Sequence, residues 1–182
     1  MPRLDRSNAL LLVIDVQEKL IPVIDEHESV IRNIDRMIRG CRILGVPVIV
    51  TEQYAKGLGH TVEPLRAALG DDYRPIEKDC FSAHRCTPFE SALSRSGRKQ
   101  LIVTGIETHV CVYQTVSDLL RAGYEVTLIA DALSSRTQQN KEIALHRMEN
   151  EGAKLSSTEM ALFELTVVSG TDEFRALSRL VK

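Results

Sequence analysis

Two residues stand where a chain of this pattern places chemistry. Asp15 closes the apolar run LLLVIDV that begins at Leu10, and Cys111 follows another such run, QLIVTGI from Gln100, by a short turn. In open parallel sheets ligands collect beyond the carboxyl ends of the strands, so a polar residue closing a β-branched run is a candidate site residue. A lone aspartate there is more often a helix cap or a loop residue. The thiol carries more information. Thr108 is spaced to cap a helix starting at this turn, which sets Cys111 in the first helical turn, where backbone amides and dipole favour the nucleophilic thiolate. Cys41, by contrast, sits on a helical apolar face and reads as a small buried hydrophobe.

The elements that must position these residues follow from hydrophobic periodicity. Besides the two runs above, VPVIVTE from Val46 and YEVTLIAD from Tyr124 are short, apolar and β-branched, as suits strands covered on both faces. Between them lie helix-spaced sets: Ile31, Ile34, Ile38 and Cys41 after the first run, and Val112, Val116 and Leu119 after the third, with Gly45 and Gly123 placed to end those helices. Past the last clear strand, Ile143, Ala144 and Met148 mark another helix. Ser156 with Glu159 has capping-box spacing ahead of Leu162, Phe163 and Leu165, and Phe174, Leu177 and Leu180 mark a final helix. The stretch from Gln53 to Arg85, broken by glycine and proline, reads as loops around a short strand near Ile76. Strands alternating with helices imply right-handed crossovers, hence an α/β fold: a three-layer α/β/α sandwich around a mainly parallel sheet.

Composition bounds the function. With 182 residues and 43% hydrophobic content, the chain suits one compact domain over residues 1–182 with a continuous core. A formal net charge of −2 gives no general attraction to phosphate backbones or anionic lipid, so neither nucleic acid nor membrane is an expected partner. No apolar run approaches the roughly 20 residues that a spanning helix needs. Four scattered cysteines in a chain of this size fit reduced thiols in the cytoplasm better than a disulfide framework.

The string TGIETHVCV, from Thr104 to Val112, resembles the nucleophile turn of the isochorismatase-like cysteine hydrolases. The resemblance covers nearly the whole chain: LLVIDVQEKL is similar to the strand carrying the family's catalytic aspartate, and EKDCFSA to the region of its lysine. TEQYAKGLGHT and DALSSRTQQNKEIALHRMENEGA look most like the isochorismatase domain-containing proteins within it. The resemblance implies a catalytic group of Asp15, Lys78 and Cys111. It also implies a cis peptide at Ile106–Glu107, aiming the amides of Glu107 and Cys111 into an oxyanion hole. Lys78 is assigned by the resemblance alone, since a single lysine otherwise reads as a solvated surface residue. The implied chemistry is hydrolysis of a small amide or carbamoyl compound through a thioester on Cys111, with Asp15 as base and acid and Lys78 stabilising charge.

Departures from the family are as informative. Nicotinamidases hold a metal through an Asp-x-His pair after the second strand; here that stretch reads TEQYAKGLG, so neither a metal nor another cofactor is expected. His60 and Glu52 remain nearby, but a loop histidine is more often solvated or capping than a ligand. Cys80, His84 and Cys86 lack a spaced fourth ligand for a structural zinc. Gln17, Tyr54, Phe81, His109 and Tyr113 are the candidate substrate-lining residues, and the apolar late helices suit a homo-oligomer. Two other functions stay open: enol-ether hydrolysis using Asp15 without a covalent intermediate, and a non-catalytic oligomeric or redox-sensing module in which Cys111 is oxidised.

Overall fold

The computed structural model describes residues 3–182 of the chain. Six strands form one all-parallel sheet: β1 (Ala9–Ile14), β2 (Val48–Gln53), β3 (Ile76–Lys78), β4 (Gln100–Gly105), β5 (Glu125–Leu133) and β6 (Lys154–Ser156), in the spatial order β3-β2-β1-β4-β5-β6. Every residue of β1 and β4 is buried, which explains why both read as unbroken apolar runs rather than alternating ones.

Successive side chains of β1 point to opposite faces and enter two separate cores. Leu11 and Val13 pack against α1 (His27–Ile43), α3 (Glu63–Leu69), α7 (Thr158–Thr166) and α8 (Asp172–Leu180). Leu10, Leu12 and Ile14 pack against α4 (Thr87–Ser96), α5 (Tyr113–Arg121) and α6 (Gln138–Asn150). One further turn of helix, α2 (Ala55–Leu58), follows β2. The result is the expected three-layer sandwich. Gly45 and Gly123, at φ +68 and +82, follow the ends of α1 and α5 as the sequence predicts.

The structure corrects the sequence reading in several places. The stretch from Gln53 to Arg85, read as loops around a short strand, also carries α2 and α3, with Pro64 in the first turn of α3, where proline is tolerated, and α4 has no counterpart in that reading. β6 carries no apolar run: it is three residues long, with Leu155 partly exposed at the sheet edge, so periodicity misses it. Because Ser156 ends that strand, the cap of α7 falls one residue later, on Ser157, whose hydroxyl accepts a hydrogen bond from the Met160 amide. The strand order reverses between β1 and β4, from which the chain winds outward in both directions. Loops after these two strands separate there, and a parallel sheet opens a crevice at such a point.

Candidate active site

That crevice gathers the three residues. Asp15, the residue after β1, adopts φ 52, a left-handed conformation that aspartate tolerates better than most side chains, and the chain turns at once as the Gln17 amide donates to the Asp15 carbonyl at 2.8 Å. Its carboxylate is 0% exposed and held on both oxygens: the Thr51 hydroxyl donates to Oδ1 and Lys78 Nζ to Oδ2, each at 2.7 Å. Lys78 closes β3. Its buried ammonium also donates to Gln53 Oε1 at 2.8 Å and to the carbonyls of Cys80 and Phe81 at 3.2 Å. A charge so deep in the protein is tolerable only when matched and solvated by such groups.

Cys111 lies in a five-residue π-helical turn, Thr108–Val112, that runs directly into α5. The turn is not capped by Thr108 as the sequence suggests. The Thr108 hydroxyl instead donates to the Ser134 carbonyl at 2.8 Å, and Glu107 occupies the N-cap without a side-chain cap bond, its carboxylate being held by Arg136 Nε at 2.7 Å. The thiolate expected from the helix position is corrected too. Burial, followed by the charge of Asp15, pushes the thiol up to about 12 against the opposing pull of Lys78, and a hydrogen bond to Asp15 acts in the same direction. The resting sulfur therefore carries its proton, in contact with a carboxylate, and is 7% exposed.

The turn is brought this close by Gly105. At φ +120 a Cβ there would meet the Ile14 carbonyl oxygen at 2.2 Å, and the Ile106 amide donates to the same oxygen at 2.9 Å. The Ile106–Glu107 peptide is cis. The Glu107 carbonyl accepts from the amides of Val110 and Val112 at 3.0 and 3.3 Å, which winds the turn beneath the thiol.

The lining residues divide. Phe81, whose carbonyl accepts from Lys78, and Tyr54, which follows the Lys78 partner Gln53, stand exposed on the loops after β3 and β2, and His109 Nδ1 pairs with Ser135 Oγ at 3.0 Å beside the nucleophile turn. Gln17 is not available to a substrate. It is fully buried, with its amide nitrogen donating to the carbonyls of Gln53 and Gly59 and its oxygen accepting from the Gln53 amide. Tyr113 points away toward α6: its hydroxyl contacts Glu151 at 2.9 Å and Arg147 at 2.5 Å, and the Arg147 guanidinium stacks 4.4 Å from its ring. Two residues on from Cys111, and so about half a turn round the helix, it faces the other way and binds that helix to its neighbour instead.

Thr51, Gln53 and Arg136 are the residues that sequence reasoning missed. The first two close β2 with polar side chains, the same signal that marks Asp15. Among the described residues no cluster of His, Cys, Asp or Glu is spaced for a metal. Glu52 is buried and hydrogen-bonded by Thr61, Tyr73 and His60, bonds that hold its carboxylate below the usual range despite desolvation. Cys86 turns its thiol to the Glu77 carbonyl at 3.7 Å, whereas the His84 ring meets Tyr124 edge-on at 6.1 Å.

A parallel sheet opened at its switch point, with a carboxylate, an ammonium and a thiol from three strand ends, defines a three-layer α/β/α scaffold with a candidate catalytic group at its crevice. The isochorismatase domain model matches residues 9–160, and the chain belongs to the isochorismatase family. It is 38% identical over 179 residues to isochorismatase domain-containing protein 2 of Danio rerio, covering 98% of this chain and 89% of the relative. The MAR1 ribonuclease structure from Caenorhabditis elegans superposes with a TM-score of 0.92 at 38% identity, covering 99% and 92% of the two chains. The Escherichia coli YcaC gene product, an octameric hydrolase of unknown specificity, gives a TM-score of 0.92 at 25% identity, covering 99% and 91%.

Proposed function

We propose that this isochorismatase-family hydrolase cleaves a small amide or carbamoyl-type substrate through a thioester on Cys111. The observation that carries the reading is the gathering of three groups at one crevice: a buried ammonium 2.7 Å from the Asp15 carboxylate, and the Cys111 thiol near enough for that carboxylate's charge to raise it. The thiol holds its proton too firmly for a standing thiolate, so Asp15 takes that proton as the sulfur attacks the carbonyl carbon. Lys78 keeps the carboxylate paired until then and offsets the negative charge that develops. The oxygen of the tetrahedral intermediate is received by the amides of Glu107 and Cys111, a donor pair of the kind worth roughly 2.7–4 kcal/mol each. On collapse the C–N bond breaks and Asp15 returns the proton to the leaving amine. Asp15 then takes a proton from water, hydroxide attacks the thioester, and the acid leaves as the thiol is restored.

In this reading Tyr54, Phe81 and His109 line the substrate, no metal or other cofactor takes part, and Cys111 requires a reducing compartment, for which we propose the cytoplasm. Likeness to the octameric Escherichia coli protein supports a homo-oligomer. The same firmly held thiol proton favours one rival: hydrolysis of an enol ether, in which Asp15 serves as acid and base and sulfur forms no bond. The test is intact-protein mass spectrometry during turnover of small amides, carbamoyl compounds and enol ethers, with an RNA arm prompted by the ribonuclease name of the Caenorhabditis relative. An acyl adduct that disappears in Cys111→Ala, together with turnover, supports the thioester. Cleavage that survives Cys111→Ala sinks it.

A further inference from the structure

A groove lies away from the catalytic crevice. It has a volume of about 1360 Å³ and runs along the outer edge of the first half of β2, ahead of the point where β3 begins. β3 pairs only with Thr51–Gln53, so the first half of β2 has no strand on that side. Leu11 pairs with Val48 by donating to the Pro47 carbonyl. In a parallel ladder this turns Pro47 and Ile49 toward β1 and the N–H and C=O of Val48 outward, into the groove. Val48, Ile49 and Ile76 are half-buried and give the groove an apolar floor.

Its walls are cationic. Arg42, Arg74, Arg95 and Arg98 line it against a single acid, Asp72, in a chain whose formal net charge is −2. Two of the four are tied down: Arg42 donates to the Ala68 carbonyl at 2.6 Å and sits 3.6 Å from Asp72, and Arg98 donates to the Arg6 carbonyl at 2.7 Å. The guanidinium groups of Arg74 and Arg95 make no ion pair or hydrogen bond among the described residues. An open strand edge is ordinarily protected by a charge or a covering element. Here arginines flank the edge and leave its backbone open.

The geometry points to β2 as a docking edge for an extended, acidic segment of a partner protein, one that adds a strand beside Val48 and sets its carboxylates against Arg74 and Arg95. A second copy of this chain fits poorly, since a two-fold contact would bring the arginines of both copies face to face. Single-stranded nucleic acid fits the charge but not the floor, for no lining residue is aromatic and none offers a stacking platform.

Fluorescence anisotropy of the intact protein with a labelled short peptide alternating valine and glutamate tests this. Saturable binding is expected, weakening with salt. Replacing the peptide's glutamates by glutamine, or Arg74→Glu with Arg95→Glu in the protein, is expected to lower affinity by roughly tenfold or more. Val48→Pro removes the outward N–H and is expected to weaken binding with the thermal melt unchanged; if that variant fails to fold, the double arginine variant still decides. The inference is overturned by equal affinity for the glutamine peptide, or by an undiminished double variant. It is also overturned by an RNA oligonucleotide that competes fully and binds Val48→Pro as tightly as wild type. Self-association in sedimentation that the double variant abolishes would give the edge to a second copy and overturn it as well.

Discussion

Lys78 Nζ lies 2.7 Å from Asp15 Oδ2, and both side chains are 0% exposed. Each charge is tolerable only because of the other. Lys78→Met is therefore expected to cost about 3–5 kcal/mol, the usual penalty for stranding a buried partner. Pairing it with Asp15→Asn, which removes the stranded charge, should cost less than the sum of the single changes. Urea denaturation of the four proteins measures the coupling, and additive losses would show that the two groups are not acting as a pair.

Asp15→Asn separates reactivity from catalysis. Burial is the largest cause of the raised Cys111 thiol, the Asp15 charge is next, and Lys78 alone among the nearby charges pulls downward. Removing the carboxylate leaves the ammonium unopposed, so the thiol should ionise more readily. The variant is then expected to react faster than wild type with iodoacetamide between about pH 7 and 9, although it hydrolyses no substrate. Mass spectrometry that follows alkylation of Cys111 against time makes the comparison. Slower alkylation in the variant would mean that Asp15 is activating a standing thiolate.

Of the strands, β1, β2 and β4 were legible with their ends because a doubly covered parallel strand is apolar, leaving a polar residue near its end to mark the crevice, whereas edge strand β6 was not. Asp15 obeys that rule, as do Thr51 and Gln53 in β2. Lys78 does not: β3 is three residues long, and only the resemblance to a known family singles out its lysine. Side-chain direction was beyond reach. Gln17 and Tyr113 are near the site in sequence, but one is spent inside the Asp15 turn and the other faces α6. The thiol's protonation was also misjudged from sequence, since helix position argues for a thiolate whereas burial and a carboxylate supplied by another strand argue more strongly against it.

Cys41 on α1 gives a pH dependence with a definite sign. Burial raises its thiol from an ordinary 9.0 to about 12. Between those values the native state keeps a proton that the unfolded chain has released, so stability falls as pH rises; below 9.0 the contribution is fully present. Cys41→Ala should lose about 1 kcal/mol at neutral pH through the cavity it opens. It should also decline less steeply than wild type above pH 9.0, where Cys111 still contributes its own share. Parallel slopes in guanidinium titrations across this range would contradict the assignment.

Gly105 controls how closely the nucleophile turn approaches Asp15. A methyl group there carries two penalties: φ +120 is a region that side chains avoid, and the Cβ would lie 2.2 Å from the Ile14 carbonyl oxygen, which already accepts from Ile106. Gly45 is the natural control, with φ +68 and nothing within 4 Å of its Cβ position. Gly45→Ala should cost about 1 kcal/mol and leave activity intact. Gly105→Ala should cost about 1–3 kcal/mol for its conformation alone, with the collision added to it. It must push β4 away from β1, which carries the Glu107 and Cys111 amides away from the carboxylate, so the rate per folded molecule should fall as well. Thermal melts and initial rates on the two variants separate the effects, and a Gly105→Ala protein that behaved like Gly45→Ala would mean that the β1–β4 spacing does not set the geometry of the site.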